Sequence, residues 1–189
     1  MRPVRTALRA VLACALIGSV AALAWQSTPR ATAPAARTVV LVRHAEKDPA
    51  GDPRDPSLSE AGRGRAAALA HALSRAGVTH LLATEYHRTQ ETLAPLALKT
   101  GLTVQAIPAA SVDAWTKALD ALPAGSVAVV AGHSNTVPAL AQALGGTLAG
   151  LTSTTRGPQL REDEFDRLIV ITQPGSGCAT TTLELSYAP

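Results

Sequence analysis

Short unbroken runs of apolar residues alternate along this chain with stretches whose apolar positions recur at helical spacing. Val39-Val40-Leu41-Val42, following Thr38, is too short for a helix and carries no polar alternation, so it predicts a strand buried on both faces. His80 to Thr84, Leu102 to Ile107 and Ser126 to Ala131 predict three more strands, the last the most apolar. Between them Ala66, Leu69, Ala70, Leu73 and Ala76 repeat on one helical face, with Ser59 as N-cap and Gly77 as the stop. A second helix runs through Thr92, Leu93, Leu96, Ala97 and Leu98 to Gly101, with a kink expected at Pro95. A third covers Val112 to Leu122, and a fourth follows Gly132-His133-Ser134-Asn135 to Leu144. The loop Lys47 to Ser57, with three prolines and a glycine, excludes regular structure, and residues 147–166 read as irregular and acidic. Arg167 to Gln173 and Thr180 to Tyr187 predict two closing strands around Gly175-Ser176-Gly177. The alternation predicts an α/β three-layer sandwich, a mainly parallel central sheet with helices on both faces.

The amino-terminal residues depart from this pattern. Arg2, Arg5 and Arg9 precede an apolar stretch from Ala10 to Ala24, which ends in the small-x-small triplet Ala22-Leu23-Ala24. Residues 1–24 therefore read as a signal peptide cleaved before Trp25. The alternative is an uncleaved membrane anchor, for which the stretch is shorter than the roughly 20 residues a span needs. Residues 25–37, rich in Ala, Thr, Pro and Ser, read as a linker, and 38–189 as one domain. Either fate of the leader puts the domain outside the cytoplasm, periplasmic or secreted, with membrane contact only if the leader stays.

Charge changes the picture less than its total suggests. The 189 residues carry a formal +3, but the three leader arginines account for it, leaving 14 basic and 14 acidic residues from Trp25 onward. No basic face marks a nucleic-acid partner. Removing the leader removes Cys14, so Cys178 has no intrachain disulfide partner, and two cysteines cannot build a multi-thiolate zinc site.

Three strand ends carry polar chemistry: Arg43-His44, Thr84 to Arg88, and Gly132-His133-Ser134-Asn135. In a parallel sheet these ends share one edge, where ligands of open α/β folds bind. Two arginines, two histidines, small hydroxyls and a helix N-terminus make a phosphate site. The chain here resembles the histidine phosphatase superfamily (phosphoglycerate mutase-like, branch 1). The resemblance rests on Arg43-His44-Ala45, Leu58-Ser59-x-x-Gly62, Thr84-x-x-x-Arg88-Thr89 and Gly132-His133-Ser134, in that order, and covers roughly residues 38–187. It implies that His44 attacks phosphorus and forms a phosphohistidine, that Arg43, Arg88 and His133 clamp the phosphoryl oxygens, and that neither metal nor cofactor is required. Thr84, Ser134 and Asn135 are expected substrate contacts.

The leaving-group acid stays open among Glu85, taken first, Asp113, and Glu162-Asp163-Glu164. Ala45 stands where the family carries glycine, which should leave the backbone there less free. With 43 residues between Thr89 and His133, there is little room for a capping insertion, which favours hydrolysis over mutase-type phosphotransfer. The expected activity is a phosphomonoesterase acting on a small phosphorylated substrate or a phosphorylated envelope component. The competing reading is a phosphate-binding module with weak or no turnover. A metal-dependent hydrolase built on His44 and His133 is disfavoured, because no close His-x-His or Asp-rich ligand cluster accompanies them.

Overall fold

A computed structural model describes residues 35–175 and 179–187. In chain order the elements are β1 (Arg37–Arg43), α1 (Glu60–Ala72), β2 (His80–Thr84), α2 (His87–Thr100), β3 (Val104–Ile107), α3 (Val112–Asp120), β4 (Val127–Gly132), α4 (Thr136–Ala143), β5 (Thr152–Thr154), β6 (Gly157–Gln159), β7 (Arg167–Gln173) and β8 (Thr181–Ser186). The expected leader, most of the linker, and both cysteines lie outside the described residues. No helix among the described residues is long and apolar enough to cross a membrane.

The central sheet has the order β3-β2-β4-β1-β7-β8. The first four strands are parallel, β7 runs antiparallel beside β1, and β8 antiparallel beside β7. Because successive strand side chains point to opposite faces, each apolar run divides its residues between two cores. Val39, Leu41, Ala128 and Val130 meet Trp115 and Leu119 of α3 and Val137 and Leu140 of α4. Val40, Val42, Val129 and Ala131 meet Leu69 and Ala70 of α1 and Leu93 and Leu96 of α2. This is the three-layer arrangement the unalternating runs predict. It carries the carboxyl ends of β1, β2 and β4 to one edge, in register: Arg43 pairs with Gly132, and Ala83 with Ala131.

Local chemistry moved several boundaries. Ser59 does cap α1, its hydroxyl accepting from the Gly62 amide at 3.1 Å. The helix ends at Ala72 rather than near Gly77, because the Ser74 hydroxyl and amide both take the His71 carbonyl and turn the chain. Gly77, at φ 64°, serves the following turn instead. Gly101, at φ 71°, terminates α2 as expected, and the helix runs on through Pro95. Ser111, not Asp113, caps α3. Residues 147–166 are not wholly irregular: they contain the β5–β6 hairpin, six exposed or half-exposed residues with no apolar alternation to reveal it.

Candidate active site

β1 delivers Arg43 and His44 at its end, each only 4% exposed. The His44 ring nitrogen Nδ1 lies 2.8 Å from the Ala45 carbonyl oxygen. A carbonyl can only accept, so Nδ1 carries the proton and Nε2 keeps a free lone pair. Burial holds the imidazole neutral, its pKa pushed down to about 3, and the nearby His133, Arg43 and Arg88 act in the same direction.

The turn bearing this histidine is fastened from several elements. The Ala45 amide donates to Thr92 Oγ1 of α2 at 3.0 Å, and Thr92 in turn donates to the Arg88 carbonyl at 2.7 Å. The Glu46 carboxylate takes a fork from Arg65 of α1, with contacts of 2.7 to 3.0 Å. The Glu46 carbonyl accepts from the Ser59 amide at 2.9 Å. Gly62 lies against that carbonyl so closely that a Cβ would stand 2.2 Å from its oxygen. Ala45 needs no glycine freedom, since no non-glycine residue among those described has positive φ. Its methyl is fully buried against Leu58 and Ala66.

A hydroxyl chain sets the third strand end. Thr89 Oγ1 donates to a backbone carbonyl, that of Tyr86 at 2.8 Å or Thr84 at 3.1 Å. Its contact with Thr84 Oγ1, at 2.7 Å, is then one in which Thr84 donates. Thr84 Oγ1 must accept from His133 Nε2 at 3.0 Å, so His133 is the Nε2–H tautomer. Its pKa is pushed down to about 4 by burial and then by Arg88. The His133 amide donates to Thr136 Oγ1 at 2.7 Å, and a Cβ on Gly132 would strike that oxygen. The His44 and His133 rings meet edge to face, with centroids 5.3 Å apart.

Two arginines flank the histidines. Arg43 donates to the Arg161 and Glu162 carbonyls at 2.7 and 3.0 Å and pairs with the Glu162 carboxylate at 3.2 Å. Its guanidinium lies 4.3 Å over the Phe165 ring. Arg88 lies equally close over Tyr86 and reaches Asp55 at 3.4 Å. Burial lowers both pKa values, opposed for Arg43 by Glu162 and for Arg88 by Asp55, and both guanidinium groups remain charged at neutral pH. Each keeps a buried Nε–H with no acceptor. Two unsatisfied cationic donors beside two neutral histidines form an anion site.

Beside Arg88 and His133 opens a cleft of about 390 Å³, lined also by Glu85, Tyr86, Asn135 and Thr136. Glu85 accepts from the Ala109 amide at 2.7 Å. Of the acid candidates it alone lines this cleft. Asp113 is exposed in the first turn of α3, Glu162 is paired with Arg43, Asp163 with Arg161, and Glu164 with Arg167. Thr84 is fully buried and touches His133 rather than the cleft, so it is a positioning group instead of the expected substrate contact. Asn135 lines the cleft, and Ser134 lies beside it, its carbonyl accepting from the Leu160 amide. Asp55, Tyr86, Thr92 and Phe165 are neighbours of the site that sequence reasoning missed. Their only signal was position in or beside the motifs, since the partners of Asp55, Thr92 and Phe165 lie 33 to 122 residues away and Tyr86 acts through its ring face. Among the described residues no three His, Cys, Asp or Glu are grouped to hold a metal ion.

Residues 39–111 match the family model described as the histidine phosphatase superfamily (branch 1), a span that contains His44 and Arg88 and ends before His133. Among solved structures, the chain is similar to a putative phosphohistidine phosphatase SixA from Nakamurella multipartitia, with 24% identity and a TM-score of 0.56 over 82% of this chain and 99% of that one. It is also similar to the protein histidine phosphatase SixA complexed with tungstate (20%, TM-score 0.59, 79% and 96%). A third likeness is to a mycobacterial glucosyl-3-phosphoglycerate phosphatase in complex with inorganic phosphate (17%, TM-score 0.57, 80% and 97%). At these identities the likeness is one of fold. No curated protein matches the chain.

Proposed function

We infer that this chain, a member of the histidine phosphatase superfamily (branch 1), is a phosphatase that hydrolyses phosphomonoesters through a phosphohistidine on His44. The observation that carries the reading is the tautomer of His44: Nδ1–H is tied to its own backbone turn, and Nε2 is left unprotonated beside two buried arginines. A neutral imidazole with a free lone pair is a competent nucleophile at phosphorus. Arg43 and Arg88 hold donors that lack acceptors until an anion arrives, so they stabilise the charge that develops on the phosphoryl oxygens.

In the first step the His44 Nε2–P bond forms and the P–O bond to the leaving group breaks. The departing oxygen takes a proton from Glu85, the carboxyl group in the cleft. In the second step water attacks phosphorus, the N–P bond breaks, Glu85 recovers a proton from the water, and inorganic phosphate leaves. His133, held by Thr84 through its Nε2–H, donates to a phosphoryl oxygen through Nδ1 once the bound anion draws a proton from solvent onto the ring. The chemistry calls for no metal.

The activities of the similar structures, on phosphohistidine and on glucosyl-3-phosphoglycerate, support a phosphorylated substrate, either a small molecule or a phosphorylated envelope component. The amino-terminal segment supports export, so we place the enzyme in the periplasm or outside the cell. The test is release of phosphate from an aryl phosphate by residues 25–189 in the presence of chelator. His44→Ala is expected to abolish it, and acid quench of the wild type should trap an acid-labile phosphoenzyme. Turnover surviving in His44→Ala refutes the nucleophile. Glu85→Gln should slow esters of poor leaving groups by about 10²–10³-fold while sparing nitrophenyl phosphate; equal losses on both rule out Glu85 as the acid.

A further inference from the structure

A second concavity, of about 330 Å³, lies between α4 and the β5–β6 hairpin. It adjoins the phosphate cleft, because Asn135 lines both. From Asn135 it follows one face of α4 through Pro138, Ala139 and Gln142, three, four and seven positions further on. At the helical rise per residue that track extends about 10 Å from the end of the phosphate cleft. Leu148 and Leu151 form the opposite wall and are themselves packed on the α3–α4 core, so the wall is anchored.

The polar side chains lining the track are those of Asn135, Gln142, Thr147 and Arg156, of which Arg156 alone is charged. Asn135 stands at the N-cap position of α4 but its side chain caps nothing, which leaves the amide available at the junction. Arg156, from the turn between β5 and β6, stands at the wall and pairs with no carboxylate among the described residues. No acidic residue lines the concavity. A cleft of this size with apolar walls and a few convergent polar groups has the form of a small-molecule site.

We propose that this track is the leaving-group subsite, and that it selects phosphomonoesters of a compact alcohol or phenol bearing an anionic group. The proposal rests on the phosphatase reading, in which the phosphoryl group occupies the cleft beside Arg88 and His133. An ester held there extends into the concavity that adjoins it, and the one reached through Asn135 offers apolar contact together with a cation. Potential of a single sign discriminates between partners by charge more than it adds raw affinity.

The test uses three aryl phosphates of matched length whose para substituents end in carboxylate, carboxamide or ammonium. The full chain is expected to prefer the carboxylate over the ammonium ester by about tenfold in kcat/KM at low salt, with the preference shrinking as salt rises. Arg156→Gln should erase the preference while leaving unsubstituted phenyl phosphate and the inhibition constant of inorganic phosphate unchanged. Ala139→Phe, which fills the track, should slow the extended esters alone. A wild type that ignores the substituent charge while inorganic phosphate still competes overturns the subsite and leaves the phosphatase reading intact. So does an Arg156→Gln variant that keeps the preference. Absence of both turnover and phosphate binding overturns the two together.

Discussion

Two glycines two residues apart on α1 predict opposite outcomes for the same substitution. Alanine is ordinarily the better helix residue by about 1 kcal/mol, and at Gly64, where an added Cβ meets nothing within 4 Å, Gly64→Ala should stabilise the fold by that order. At Gly62 the added Cβ would stand 2.2 Å from the Glu46 carbonyl oxygen and 3.1 Å from its nitrogen and carbonyl carbon. Real Cβ contacts stop near 3.0 Å, so α1 and the turn after β1 must part by about 0.8 Å. All three atoms in the way are backbone, and the parting strains the bond from the Ser59 amide to the same oxygen. Loss of a buried hydrogen bond costs about 1–3 kcal/mol, more than the helix gains. Glu46 is two residues from His44, and a nucleophile displaced by about 1 Å costs on the order of 10²-fold in rate. Urea unfolding and phosphate release, measured on both variants, check this. If Gly62→Ala matches Gly64→Ala in stability and in kcat, the contact does not hold the nucleophile turn.

Other outcomes follow from single contacts. Thr84→Val keeps the shape of a fully buried side chain but deprives His133 Nε2–H of its acceptor. It should destabilise the fold by about 1–3 kcal/mol and lower kcat by about tenfold or more, and wild-type kcat in this variant would contradict the hydroxyl chain. Glu162, highly exposed, is the only side-chain carboxylate among the described residues bonded to Arg43. Glu162→Gln should therefore tighten inhibition by inorganic phosphate several-fold, at little cost in stability because exposed pairs contribute about 0–1 kcal/mol; weaker inhibition would show that Glu162 orients Arg43 rather than competing with its ligand. The folded pKa values of His44 and His133, about 3 and 4, lie below the ordinary 6.5. Between pH 6.5 and about 4 the unfolded chain binds protons that the folded one does not. Stability is therefore complete above pH 6.5 and falls with acid, by up to about 1.4 kcal/mol per pH unit for each histidine. Denaturation midpoints of His133→Gln between pH 5 and 7 should show a shallower decline than the wild type, and an equal slope would argue against a buried neutral His133.

The strand runs were readable because a strand covered on both faces must be apolar at every position, and Val39 to Val42 and Val127 to Ala131 are. The same runs do not encode neighbour order, so nothing in Arg167 to Gln173 revealed that β7 lies antiparallel against β1. Helix caps were readable where one side chain acts locally, as at Ser59 and Gly101. At α3 the cap is Ser111, which the apolar spacing of Val112 to Leu122 did not reveal. The motif residues at the three strand ends do converge, because a parallel sheet allows them no other edge. Thr92, Asp55 and Phe165 were not legible, since their contacts join segments far apart in sequence and their residue types carry no signature. Thr84 was recognised as part of the motif, but only burial distinguishes a group that holds His133 from one that would touch substrate.

The placement of β7 has a consequence in time. β1 is made early in synthesis, yet both strands that flank it, β4 and β7, emerge at least 84 residues later. The segment that encloses Arg43, from Arg161 to Phe165, directly precedes β7. A growing chain therefore carries the Arg43-His44 motif long before it can bury the arginine. The pocket closes only when nearly the whole polypeptide is available.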